Sequence, residues 1–173
     1  MNDKKGVRAA KYAAYALVMT LLYVLQTTPA FLEIFGVKPN LVIPAAVCVA
    51  MLEGEFAGGF YGVLAGVFCD VSGPAIFGFN AVLLLVACVA VGLAFLYLLR
   101  PCMINFVLLT FGALLARGLT DYLLNYYMWG YDNVWMVLTY QILPGILYSA
   151  AVSPLVYYLY TWMGKKFQER LED

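Results

Sequence analysis

Three ionisable side chains sit where the flanking sequence is apolar. Asp70 ends the run EFAGGFYGVLAGVFCD, and Arg117 and Asp121 lie within ALLARGLTDYLL. A charge held in hydrocarbon is costly, so such groups pair with one another and turn inward rather than toward lipid. Arg117 and Asp121 are four residues apart, on one face of a helix. Asp70 is expected to offer a second carboxylate to the same guanidinium, a pairing that reversing both charges would preserve. Other polar residues fall in the same half of the chain's apolar runs. Gln26, Thr27 and Thr28 close the first run, Asn80 opens the fourth, and Gln141 belongs to the sixth. A buried ion pair that fixes helix register is the leading expectation for this cluster. A substrate or ion pathway, and an anchor for a partner's extracytoplasmic segment, are the alternatives.

Two carboxylates close together can do acid–base chemistry. Here no nucleophile, metal-ligand cluster or phosphate-cradling loop accompanies them, and the chain has no histidine. No enzyme activity, metal or other cofactor is expected. Cys48, Cys69, Cys88 and Cys102 are dispersed, without a Cys-x-x-Cys pair, and read as buried, inert thiols. The formal net charge is zero and no long basic run occurs, so there is no nucleic-acid footprint.

The elements that must position the cluster follow from composition. Of 173 residues, 65% are hydrophobic and 12% charged. That points to an integral membrane protein. Six apolar runs fit, at about 10–31, 39–52, 56–71, 78–99, 103–126 and 134–163, most near the ~20 residues that span a bilayer. The expected architecture is an all-α bundle of about six transmembrane helices. It has a short N-terminus (1–9), a transmembrane domain (10–163) and a charged tail (164–173). Pro29, Gly36 and Pro39 mark the first turn, and Ser72, Gly73 and Pro74 a later one. The last run is too long for one straight span. Either Pro144 and Pro154 kink it or its first turns lie along the interface.

Eight of the ten cationic residues fall on one side of this topology: Lys4, Lys5, Arg8, Lys11, Arg100, Lys165, Lys166 and Arg170. Only Lys38 falls on the other. The bias puts both termini in the cytoplasm. Lys165 and Lys166 would then meet lipid headgroups, with contact to a cytoplasmic partner as the less simple reading.

Gly54, Gly58, Gly62 and Gly66 recur every four residues, with Asp70 in the next slot. In water, each glycine inside a helix costs about 1 kcal/mol against alanine. In lipid, small residues let two backbones approach closely. The stripe is expected to pack inside the chain's own bundle, with a partner's helix or a ligand as lesser possibilities. Ala9 and Ala13, with Ala10, Ala14 and Ala16, make a second small-residue face on the first helix, read the same way.

The order of these features resembles the MreD family, rod-shape-determining membrane proteins of bacteria. The likeness rests on LQTT closing the first span, FGVKPNLVI leading into the second, GEFAGGFYGVLAGVFCDV, and then SGPAIFGFNAVLLL. It covers about residues 20–90. The Arg100–Met103 loop is shorter and less basic than the family pattern. The resemblance implies a non-enzymatic subunit of the cell-elongation machinery in the bacterial cytoplasmic membrane. Its implied main partner is MreC, a single-span protein. Around it would stand a RodA-type glycosyltransferase and a class B penicillin-binding transpeptidase. It also implies a fold similar to the substrate-binding subunits of energy-coupling-factor vitamin transporters, which supplies the rival expectation of a vitamin-binding subunit.

Overall fold

The computed structural model describes residues 2–28, 37–73, 77–128 and 134–172. The described residues form helices and their connections. The helices are α1 (Asn2–Thr27), α2 (Val42–Glu53), α3 (Glu55–Ser72), α4 (Phe79–Tyr97), α5 (Met103–Tyr122), a short α6 (Val134–Val137) and α7 (Leu143–Glu172). Wide, π-type turns extend α5 over Leu123–Tyr127 and join α6 to α7 over Leu138–Ile142. The sequence turn residues Pro29, Gly36 and Pro74, and residues 129–133, lie outside the described residues.

Among the described residues, four helical stretches are long and apolar enough to cross a membrane: Lys5–Thr27, Phe79–Tyr97, Met103–Tyr122 and Trp135–Glu169. The protein is thus an all-α chain of multi-pass membrane character. Helix α1 includes residues 2–9, and α7 runs on through residues 164–172.

The architecture is built around α2. Its sequence VIPAAVCVAMLE is apolar on every side, so it has no face to give to water and must be enclosed. Every residue from Val42 to Met51 is buried, and α1, α3, α4, α5 and α7 surround it. Pro44 sits in its first turn, where no intrahelical N–H is missed. A single residue, Gly54, joins α2 to α3. Its φ of +88° lies in a region that L side chains rarely adopt, and it permits the abrupt reversal. Gly54 was expected in the packing stripe, but it is a turn residue with open space where a Cβ would be.

The two prolines of the last run act differently. Pro144 is the second residue of α7. Its missing N–H and its ring disturb the ladder one turn earlier, where Leu143 N–H reaches back to Leu138 O in the wide turn. Pro154 lies inside α7 and frees the carbonyl of Ala150, to which Ser153 Oγ donates a hydrogen bond at 2.7 Å. Three of the cysteines are buried. Cys102 is exposed at the start of α5, against the expectation that all four are enclosed.

Candidate functional site

The α3–α4 pair is where the glycine stripe acts. The helices run antiparallel, so Gly66 faces Ala81, Gly62 faces Leu84 and Cys88, and Gly92 of α4 faces Glu55. The fit is backbone against backbone. A Cβ on Gly66 would lie 2.2 Å from Ala81 Cα, and one on Gly62 would lie 2.5 Å from Leu84 O. On Gly58 it would lie 2.5 Å from Ala50 Cβ of α2. The groove is therefore filled by the chain's own helices. Gly92 makes the same approach from α4, at 2.6 Å from Glu55 Cα. A lone glycine in VAVGLAF gave no periodic signal for it.

Asp70 follows Gly66 by four residues and so points along the same stripe, to where α4 begins. It is 4% exposed. Its Oδ2 accepts the N–H groups of Gly78 (2.9 Å) and Ala81 (3.3 Å). Its Oδ1 accepts Asn80 N–H (3.1 Å) and Asn80 Nδ2 (2.9 Å). The expected Asp70–Arg117 pair is thus replaced by a carboxylate cap on the α4 N-terminus. The physical reason is that the first N–H groups of a helix have no intrahelical partner and carry partial positive charge. Gly78, with φ +95°, turns the chain into this cap. Arg117 reaches the cap only through Asn80, its Nε donating to Asn80 Oδ1 at 3.3 Å. Its Nη2 lies 3.2 Å from Asp121 Oδ2.

The N-terminus of α2 is treated likewise. Gln26 Oε1 accepts Leu41 N–H at 2.8 Å, and Asn40 Oδ1 accepts Ile43 N–H at 3.1 Å. Asn40 N–H donates to Ser149 Oγ of α7 at 2.7 Å. Asn40 and Ser149 were not singled out in the sequence. The Pro39-Asn40 pair just before an apolar helix carries a capping signal for the first. Ser149 has no local one.

Gln26, Asp70, Asn80, Arg117 and Asp121 therefore gather at one end of the bundle, the end away from the chain's N-terminus. Gln26, Arg117 and Asp121 also border a polar cavity of two lobes that share Lys38, Asn40 and Arg117. A lobe of about 440 Å³ extends to Gln26, and one of about 150 Å³ to Asp121, Gln141 and Ser149. Such a lining of cations, amides and hydroxyls can hold water or a small polar solute.

The opposite end carries a second cluster. Lys11 of α1 is ion-paired with Glu53 at the end of α2. Tyr12 and Tyr15 donate toward the same carboxylate at 3.4 and 3.5 Å. Tyr61 OH donates to Tyr12 O at 2.5 Å, and Tyr160 OH to Tyr15 O at 3.2 Å. These bonds fasten α1 to α2, α3 and α7. Ala14, Ala16, Tyr15 and Met19 form the packed side of α1. Ala9 and Ala13 are exposed, so the expectation that they pack within this bundle is corrected. The packed side of α1 is set by Tyr15 and Met19, whose large side chains bury more area than an alanine face.

Comparison with protein-family models, with curated proteins and with solved structures finds no match to this chain.

Proposed function

We propose that the protein is a non-enzymatic scaffold of the MreD kind in the bacterial cytoplasmic membrane. In this reading it binds an MreC-like single-span protein. It organises a RodA-type glycosyltransferase and a class B penicillin-binding transpeptidase for cell elongation, and so maintains cell shape. All six apolar runs serve as spans, with both termini cytoplasmic. The observation that carries the reading is the use made of the motif residues. Gly62, Gly66, Asp70 and Asn80 join α3 to α4, and Gly58 seats α3 against both α2 and α4, which is a structural task. The partner's helix is then received elsewhere. The surface of α1 that bears Ala9, Ala13, Leu17 and Leu21 is exposed, and α1 is the least enclosed of the four long apolar stretches.

The polar cavity favours a second reading, the substrate-binding subunit of an energy-coupling-factor vitamin transporter. Its 440 Å³ lobe has the size of a small-molecule site. Gentle affinity purification from native membranes, with mass spectrometry of proteins and small molecules, separates the two. The scaffold reading expects an MreC-like protein with cell-wall synthases. Paired ATPases with a coupling membrane protein, or a stoichiometric vitamin, would overturn it.

A further inference from the structure

Between α1 and α7, at the end that carries both termini, lies an open groove of about 440 Å³. One stripe of α7 lines it, Leu159, Trp162, Met163, Lys166 and Phe167, at steps of three and four, and Val18 of α1 closes the other side. The lining is apolar along its length and ends in a cation. Leu159 to Phe167 spans about 12 Å of helix, close to the depth of one hydrocarbon leaflet. Lys166 Nζ lies 5.0 Å from the centre of the Trp162 ring, which holds the ammonium over the rim. Lys165 is exposed beside it. Tryptophan marks the membrane–water boundary, and its amphipathic ring sits at headgroup depth.

We propose that this groove is a binding site for an anionic phospholipid. One acyl chain lies along Val18, Leu159 and Met163, and the headgroup phosphate is held by Lys166 and Lys165. The charge at the rim selects the occupant. A cation at the mouth of an apolar groove between helices attracts a phosphate and is poorly matched to a wholly apolar partner helix. The tyrosine contacts that tie α1 to α7, Tyr160 to Tyr15 O, fix the two walls relative to one another, so the groove is preformed. The proposal needs only that the chain spans a membrane, so it stands or falls separately from the scaffold reading.

Trp162 is a built-in reporter. With Trp129→Phe and Trp135→Phe, it is the single tryptophan of the 173-residue chain. The protein is reconstituted in mixed vesicles in which either phosphatidylglycerol or phosphatidylcholine carries dibrominated acyl chains, and the quenching of Trp162 by each is compared. The expected result is a phosphatidylglycerol-to-phosphatidylcholine ratio at Trp162 above the bulk ratio by about five-fold per lysine. Lys165→Gln with Lys166→Gln should return the ratio to the bulk value, and Lys166→Arg should keep it. Both lysines are exposed, so the variants fold. Quenching that follows bulk composition, or a preference unchanged by the glutamine variants, overturns the proposal. So does a Trp162 quenched by neither lipid, as when a second copy or another protein's helix covers the groove.

Discussion

Two helix seams in this molecule are made from glycines in opposite ways. Along α3–α4, the atoms facing Gly62 and Gly66 are backbone, Leu84 O and Ala81 Cα, which have no freedom to withdraw. Where α5 meets α7 and the wide turn before it, Gly118 faces side-chain methyls, Ile146 Cδ1 and Ile142 Cγ2, at 2.9 and 3.1 Å from a built Cβ. The Ile146 Cδ1 methyl can rotate away, and the Ile142 Cγ2 methyl need give only a few tenths of an ångström. Gly112, also on α5, faces open space. The same residue type on two helices therefore marks a rigid joint in one place and an adjustable or empty one in another. The lesson is that glycine spacing locates a seam only where the opposing atoms are backbone.

The largest effect expected is at the rigid joint. Gly66→Leu should abolish the monodisperse folded protein. Gly66→Ala, whose Cβ has no escape, should cost about 3 kcal/mol, read as a lowered unfolding midpoint in detergent. A wild-type midpoint for Gly66→Ala would mean that α3 and α4 do not meet there.

Next comes the cap that the stripe delivers. Asp70→Asn keeps the size but removes one of two acceptor oxygens from a buried site serving three backbone N–H groups. The expected loss is about 2 kcal/mol in the same unfolding measurement. Reversing both charges, Asp70→Arg with Arg117→Asp, should be no more stable than Asp70→Arg alone, because the partners of Asp70 are N–H groups. Recovery in the double variant would restore the direct ion pair that the sequence led us to expect.

At the adjustable seam, Gly118→Ala should cost about 1 kcal/mol, since isoleucine ends must shift by a few tenths of an ångström. The smallest effect falls at Gly112→Ala. With no neighbour to meet and less freedom in the unfolded chain, it should raise stability by about 0.5 kcal/mol. If Gly112→Ala were as harmful as Gly66→Ala, the contrast between the seams would be wrong.

The helices were legible because apolar runs, glycine turns and prolines are local signals. The run at 103–126 and the helix at Met103–Tyr122 with its wide turn differ by little. The stripe at Gly58, Gly62 and Gly66 was legible as a close-approach surface, and the i,i+4 spacing gave the Arg117–Asp121 pair. Asp70 was misread. Spacing shows that a carboxylate follows the stripe, but not what lies opposite, and a helix N-terminus competes with an arginine for it on equal chemical terms. Asn40 with Ser149, 109 residues apart, and Lys11 with Glu53 are pairs that no local pattern could announce.

The sequence by itself determined that this chain is helical and membrane-like, and which residues are too apolar for water. Each of these follows from composition and periodicity along a short stretch, where the physics is that of transfer from water. Only the tertiary structure decided who faces whom. It made α4 the occupant of the glycine groove and α4's first N–H groups the partners of Asp70. It left Ala9 and Ala13 uncovered, and it opened a polar cavity at one end and an apolar groove tipped by Lys166 at the other. Those outcomes depend on helix rotation and relative height, which side-chain packing across the whole bundle fixes and no single segment encodes.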